Sequence, residues 1–206
     1  MTAAPIWRSY DERPLTTEAN RLMERNPGYR VEIIGGQLLV SPPPDGPHAR
    51  ALTKLMRPFI AVGLDDGPTE VLQGVGVWLP TGTEDYVIPD LAVVDADLDE
   101  HYIEDNCYDP VCFRLVVEVT SSNFRADLRT KVAAYAKAKV PVYVIVDREY
   151  QRLHVLTDPA ADDYGTHRVH APGEVVALPH SIGAEVTLDV AEVLAAGRPK
   201  SAPEQG

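Results

Sequence analysis

Three short apolar runs, the last two separated by a helical stretch, limit the folds open to this chain. The runs occupy residues 91–94, 115–119 and 142–146. Apolar runs of this length, bounded by turn residues, are typical of strands with both faces buried. Between the second and third runs, Leu128, Val132 and Tyr135 recur at helical spacing over residues 125–139. This order predicts an α/β (α+β) fold, in which helices pack on a sheet.

Helical spacing, alternation and turn residues predict the remaining elements. They are a helix capped by Thr16 or Thr17 and ending at Arg25, a hairpin of 29–34 and 37–40, a helix from Pro47, strands at 70–79 and 86–94, a loop at 95–110, a strand at 152–157, strands at 167–170 and 174–177, and a closing helix at 189–195. Residues 1–14 are predicted to be a weakly ordered lead, residues 15–196 a single domain, and residues 197–206 a disordered tail.

The composition indicates a protein of the cytoplasm. The 206 residues contain no apolar segment near the about 20 residues that span a bilayer, and no secretory signal opens the chain. The two cysteines, Cys107 and Cys112, have no metal-motif spacing and are predicted to be reduced thiols. We expect no membrane association.

The charge balance restricts the partners that the chain can bind tightly. There are 31 acidic and 19 basic residues, so the formal net charge is −12. Nucleic-acid binders usually carry a basic surface, because contacts with phosphates supply much of their affinity. We therefore expect only weak binding to nucleic acid, through a local strip of bases. The candidates for that strip are Arg50, Lys54, Arg57, Arg125 and Arg129.

Two acids stand beside or within the apolar runs. Asp90 follows Ile88-Pro89 and precedes the first run, and Glu118 lies inside the second. A charge within a buried strand is costly unless it is paired or binds a metal. Adjacent strands would bring these acids together as ligands of a hard cation. Alternatively, each is a strand-end residue that the backbone or solvent satisfies.

Lys131 lies one helical turn from both Leu128 and Tyr135, at the flank of the predicted buried face. Its long side chain could reach the edge of the sheet and act on a phosphate. Alternatively, it forms a surface pair with Asp127, four residues earlier, that contributes about 0.2–0.5 kcal/mol to stability. The spacing alone does not separate these alternatives.

Three further residues are candidates for accessory roles. Glu32 lies in the apolar strand 31–34, where it could add an acid to the cluster or, by alternation, face solvent. His48 could contact the site or stabilise the start of its helix. Tyr135 is more often a core residue than a catalyst.

An ordered set of motifs covers residues 15–195. It comprises Glu32 before Gly35-Gly36, Ser41-Pro42 with His48 after it, Pro89-Asp90-Leu91, Val117-Glu118-Val119-Thr120-Ser121, Asp127 with Lys131 and Tyr135, and Val140-Pro141-Val142-Tyr143 ending in Asp147. Each motif is weak alone, but their order is fairly specific. The chain resembles the Uma-type family described as putative restriction endonucleases, a branch of the PD-(D/E)XK nuclease superfamily.

The resemblance implies a restriction-endonuclease-like core, with a central mixed sheet flanked by helices. Asp90 would match the Asp of the motif, Glu118 its second acid and Glu32 an additional acid upstream. Thr120 stands where the superfamily pattern has Lys, and Lys131 matches a lysine moved to the following helix.

These observations predict a hydrolase that cleaves nucleic acid, an endodeoxyribonuclease dependent on Mg²⁺ or Mn²⁺. Asp90, Glu118 and Glu32 would hold the metal, with the Val119 carbonyl as a further ligand, and Lys131 would assist catalysis. Thr120, Asp127, His48 and Tyr135 are the accessory candidates, and a homodimer is possible. The alternative is a binding or regulatory module with the nuclease fold and little catalysis.

Overall fold

The computed structural model describes residues 13–120 and 124–199, with side chains in the second range from residue 129 onward. The helices are α1 (Pro14–Arg25), α2 (Gly46–Ala61), α3 (Phe124–Lys137) and α4 (Val190–Ala196). The strands are β1 (Arg30–Ile34), β2 (Gln37–Ser41), β3 (Thr69–Leu72), β4 (Gly76–Trp78), β5 (Tyr86–Val87), β6 (Leu91–Asp95), β7 (Tyr102–Glu104), β8 (Cys107–Tyr108), β9 (Phe113–Val119), β10 (Val142–Asp147), β11 (Arg152–Ala160), β12 (Asp163–His170), β13 (Val175–Ala177) and β14 (Thr187–Asp189).

The strands of the described ranges form two six-stranded sheets and a two-stranded one. The central sheet has the order β12-β11-β10-β9-β6-β3, and the second large sheet has the order β2-β1-β5-β4-β8-β7. The central sheet is mixed, because β9 and β10 are parallel while the other pairs are antiparallel. The predicted mixed α/β fold with flanking helices is confirmed.

Both faces of the central sheet are covered. On one face, Leu115, Val117 and Val119 of β9 pack with residues of α2 and α4. Val116 points to the opposite face, in a cluster that includes residues of α3 and of the second large sheet. Since successive side chains of a strand alternate between faces, Glu118 shares the α3 face with Val116. The buried position of Glu118 follows from this two-sided packing.

Two predicted strands are each divided between the large sheets. The predicted strand 70–79 is β3 of the central sheet and β4 of the second, with Gly74 at a φ of +69° between them. The predicted strand 86–94 is β5 and β6, which also belong to different sheets. Pro89 lies in that break and has no N–H to donate to a ladder. The chain passes between the sheets beside Asp90.

The N-terminus of α1 differs from the prediction. The helix begins at Pro14, preceded by Arg13, so neither Thr16 nor Thr17 caps it. The backbone N–H of Thr16 instead donates to the buried Glu84 Oε2 at 2.7 Å. An acid that is distant in sequence therefore accepts the hydrogen bond of a helix N–H group that a local capping residue would otherwise satisfy.

Two other boundaries also change. The predicted loop 95–110 contains β7 and β8, which extend the second large sheet. Residues 197–199 belong to the predicted tail, and here Gly197 O accepts a hydrogen bond from Arg148 Nε at 3.1 Å, and Arg198 Nε donates to Gln151 Oε1 at 2.7 Å. Cys107 and Cys112 are free and buried. No helix in the described ranges is both long and apolar enough to cross a bilayer.

Candidate active site

The pairing of β6 with β9 brings Asp90 close to Glu118. The two strands are antiparallel and pair Leu91 with Val117. Asp90 directly precedes Leu91 and Glu118 directly follows Val117, so both acids lie at the same end of this pairing. The backbone N–H of Val119 donates to Asp90 Oδ2 at 2.8 Å, which ties the acid to the end of β9.

Glu118 binds two side chains of α3. Lys131 Nζ donates to Glu118 Oε1 at 2.8 Å, and the Tyr135 hydroxyl donates to the same oxygen at 2.9 Å. The three residues are buried. Residues four apart lie on one face of a helix, so α3 presents both donors to the sheet. Lys131 is therefore buried, whereas the alternative pairing with Asp127 required it to lie at the surface.

Glu32 joins the cluster from the second large sheet. Its Oε1 accepts from Lys131 Nζ at 3.0 Å and from the backbone N–H of Ile88 at 2.7 Å. The alternation along β1 is as expected, but both faces are covered, and Glu32 is only 1 % exposed. The prediction that alternation could turn Glu32 to solvent is wrong for this reason. Lys131 thus joins acids from two sheets.

Asp90 has a different cation. Arg30 Nη1 donates to Asp90 Oδ1 at 2.8 Å, and His48 Nε2 lies 3.4 Å from Asp90 Oδ2. His48 also belongs to the first turn of α2, where its backbone N–H donates to the capping Asp45 at 2.7 Å. Both roles considered for His48 are therefore compatible with its position.

The acids of this cluster respond differently to their surroundings. Burial raises the pKa of Glu118 above its usual range, and the charge of Asp90 adds to that effect although Lys131 opposes it. Burial also opposes ionisation of Asp90, but His48 and Arg30 outweigh it and hold the pKa of Asp90 below its usual range. Burial would lower the pKa of Lys131, but Glu118 and Glu32 raise it, so Lys131 stays charged. Asp90 is thus the acid held most firmly as an anion.

Tyrosines lie beneath the acids. The rings of Tyr135 and Tyr143 are 4.8 Å apart between centroids, and both are buried. Burial and the charge of Glu118 raise the pKa of both phenols well above its usual range. Among the described residues, the Tyr143 hydroxyl has no hydrogen-bond partner. Both phenols therefore stay protonated, so Tyr135 can donate to Glu118 and neither phenol can act as a base near neutral pH.

The donor types suit a hard divalent cation, because Asp90, Glu118 and Glu32 offer carboxylate oxygens. In this structure Arg30 and Lys131 supply the balancing positive charge. Within the described ranges, no three His, Cys, Asp or Glu side chains are arranged to hold a metal ion. The donor set fits Mg²⁺ or Mn²⁺ chemically, and an ion bound at Asp90 would have to compete with Arg30.

Some predicted residues lie apart from this cluster. The Thr120 hydroxyl donates to Val146 O at 3.2 Å and accepts from the Arg148 N–H at 3.1 Å, so it joins the ends of β9 and β10. The Asp127 side chain lies outside the described residues. In the predicted basic strip, Lys54 Nζ binds Glu192 Oε2 at 2.7 Å and Arg50 Nη2 binds Arg198 O at 3.1 Å. The Arg125 side chain also lies outside the described residues.

Sequence reasoning missed Arg30. It begins β1, two residues before Glu32, and side chains two apart on a strand share a face. That spacing could have indicated that Arg30 lies near Glu32. It points to the cluster only when the strand face that carries Glu32 is known to be buried.

Comparisons with known proteins identify the family of this chain and a solved structure with a similar fold. A model of the Uma2 family, described as "Putative restriction endonuclease", matches residues 17–191. The fold is similar to the crystal structure of a putative nuclease from Anabaena variabilis, with a TM-score of 0.63 and 14 % identity over 82 % of this chain and 92 % of that one. No curated protein matches the chain. The resemblance read from the motifs is confirmed: the chain belongs to the Uma2 family of putative restriction endonucleases, which supports a nuclease function.

Proposed function

We propose that this chain is an endonuclease that hydrolyses phosphodiester bonds of nucleic acid, with DNA as the first substrate to test and Mg²⁺ or Mn²⁺ as cofactor. One observation carries the proposal: the buried Lys131 ammonium lies within hydrogen-bond distance of two acids, Glu118 and Glu32, beside the anionic Asp90. Carboxylates can hold a metal ion and a lysine can offset negative charge on a phosphate, and metal-dependent phosphodiester hydrolysis uses groups of both kinds.

Asp90 and Glu118 would hold the ion, with Glu32 and the Val119 carbonyl as further ligands. When bound, the metal would polarise the scissile phosphate and lower the pKa of the attacking water. Lys131 would offset negative charge on the phosphate oxygens, since its raised pKa keeps it protonated at neutral pH. Tyr135 would orient Glu118 through its 2.9 Å hydrogen bond.

The experiment is a cleavage assay with Mn²⁺ on supercoiled, linear and single-stranded DNA and on RNA. The variant is Glu118→Gln, and the matched control is Glu84→Gln. The two glutamates are nearly equally buried, 7 % and 8 % exposed, but Glu84 binds the start of α1 instead of the cluster. We expect cleavage by the wild type and by Glu84→Gln, and none by Glu118→Gln. Equal cleavage by all three proteins would contradict the proposal.

The second candidate is a binding or regulatory module with little catalysis. The observation that favours it is that Arg30 and Lys131 already bind the acids, on a chain with a net charge of −12. Such a module would bind no divalent metal, whereas the proposed nuclease binds it without substrate. Calorimetric titration with Mn²⁺ separates the two functions before any nucleic acid is tested.

A further inference from the structure

Arg30 and Lys131 are both cations of the acidic cluster, but they are held very differently. Lys131 Nζ binds two carboxylates, and its side chain is 8 % exposed. Among the described residues, Arg30 pairs with one acid, Asp90, and its side chain is 28 % exposed. Arg30 therefore lies at the rim of the cluster, and Lys131 lies inside it.

The present position of Arg30 leaves one of its donors unused. Among the described residues, its buried Nε has no hydrogen-bond partner. A buried donor without a partner is destabilising, whereas the same group in solvent would bind water. Turning the guanidinium outward would break the bond to Asp90, but hydration of Nε would offset part of that loss.

The inward position is maintained by charge. Burial opposes ionisation of Arg30, but Glu118, Glu32 and Asp90 together raise its pKa above the usual value. Among the described side chains, Arg30 and Lys131 are the strongly basic groups that face these three acids, so Arg30 acts as a shared counter-ion. Another cation at Asp90 would remove the reason for Arg30 to stay buried.

We propose that Arg30 is the displaceable counter-ion of the cluster: a divalent cation that binds at Asp90 takes its place, and the guanidinium turns outward. The inference rests on the proposed function, since it concerns the metal of that site. It assigns Arg30 a regulatory part in metal binding, because the ion must compete with a side chain of the same protein. Lys131 stays in place, since two carboxylates hold it in the buried interior.

The alternative is that Arg30 fixes Asp90 in the orientation that a metal needs. The two roles predict opposite changes in the metal affinity of one variant, Arg30→Met. If Arg30 competes with the ion, Arg30→Met binds metal more tightly than the wild type; if Arg30 positions Asp90, the same variant binds it more weakly.

The test is calorimetric titration with Ca²⁺, which is read without turnover, on the wild type, Arg30→Met and Arg114→Met. Arg114 is a matched control, because its side chain is 30 % exposed and its Nε binds Asp95 at 2.5 Å outside the cluster. The substitution Arg114→Met also removes one positive charge, as Arg30→Met does. We expect Kd to fall about tenfold or more in Arg30→Met, since a charge-assisted hydrogen bond no longer competes, and to stay within about twofold in Arg114→Met.

A second readout is the temperature of unfolding, which does not depend on measuring a Kd. Without metal, Arg30→Met should unfold at a lower temperature than the wild type, because the acids have lost a cation, and saturating Ca²⁺ should reduce this difference. If Arg30→Met does not fold, Arg30→Lys replaces it. That variant keeps the charge but lacks the guanidinium fork, and it should also bind Ca²⁺ more tightly than the wild type, by a smaller factor.

Unchanged or weaker Ca²⁺ binding by the Arg30 variant, with binding by the wild type intact, would overturn the displacement and leave the proposed nuclease standing. Tighter binding by Arg114→Met to the same degree would overturn it too, as a general charge effect. No binding of Ca²⁺ or Mn²⁺ by any of the proteins would overturn the proposed metal site and this inference together.

Discussion

Among the regions of the described chain that bury carboxylates, two balance them by different means. At the β1–β2 turn, Asp85 accepts from the backbone N–H groups of Gly35 and Gly36 at 2.8 and 3.1 Å and from the Thr81 hydroxyl at 2.6 Å. At the candidate active site, the partners of Glu118 among the described residues are the side chains of Lys131 and Tyr135, which both donate to it. Burial alone therefore does not distinguish a structural acid from a functional one.

The difference lies in whether the partners can move. Backbone amides are fixed by the turn, in which Gly35 and Gly36 have φ values of +59° and +72° and so need glycine. A side-chain cation can be replaced at the carboxylate by another cation, or it can leave the carboxylate to bind a phosphate. An acid that backbone groups satisfy stabilises the fold, and one that side-chain cations satisfy remains available for binding.

The largest expected effect is the loss of the cation inside the cluster. Lys131→Met should lower the free energy of unfolding by about 3–5 kcal/mol, because Glu118 and Glu32 are left buried without a positive partner. Urea unfolding measures this loss. A Lys131→Met/Glu118→Gln double variant should recover part of it. A loss below about 1 kcal/mol would mean that Lys131 is not the partner of these acids.

Metal binding should stabilise the protein through one region only. At 100 times its Kd, Mn²⁺ should add about 2.7 kcal/mol to the free energy of unfolding. Asp90→Asn should abolish this gain and Asp85→Asn should retain it, since only Asp90 belongs to the cluster. Thermal unfolding with and without Mn²⁺ tests both variants. The same gain in both would place the metal elsewhere.

The structural acid should affect stability alone. Asp85→Ala should lower the free energy of unfolding by about 2 kcal/mol, since the turn amides and the Thr81 hydroxyl lose their acceptor. Chemical unfolding and Mn²⁺ calorimetry on the same protein check the two halves of this expectation. A change in Mn²⁺ affinity above about threefold would show that the two regions are coupled.

The smallest effect is a dependence on pH. Because the folded pKa of Glu118 is raised, the folded protein holds a proton that the unfolded chain has released above its ordinary value of 4.5. The contribution of Glu118 to stability therefore falls as pH rises from 4.5 toward the folded pKa, by at most about 1.4 kcal/mol per pH unit. Relative to metal-free Glu118→Gln, the wild type should lose stability over this window in urea titrations. A constant difference would argue against the raised pKa.

The sequence predicts the central elements and names the residues of the inner cluster as candidates. Asp90 and Glu118 stand beside or within apolar runs, and Lys131 lies at the flank of an apolar helix face, so the local pattern offers a buried contact as one of two alternatives for each residue. The roles of Arg30 and Asp85 could not be predicted in this way. Arg30 matters because β1 joins a second sheet that packs on α3, and Asp85 matters because its partners are backbone amides about 50 residues away in sequence.

The division of strands between two sheets had a similar cause. Residues 70–79 and 86–94 look continuous in apolar pattern, and neither Gly74 nor Pro89 shows by itself that the chain changes sheets. That change depends on pairing between distant segments, such as β1 with β5 and β6 with β9. Long-range pairing leaves little local signal in the chain.

The most direct measurement is anomalous diffraction at the manganese edge from crystals soaked in Mn²⁺. The account predicts one strong peak within bonding distance of the Asp90 and Glu118 carboxylates, none beside Asp85, and Lys131 still buried against Glu118. Crystals with no peak at the cluster, or with manganese bound at another site, would contradict the claim that these acids form a metal centre.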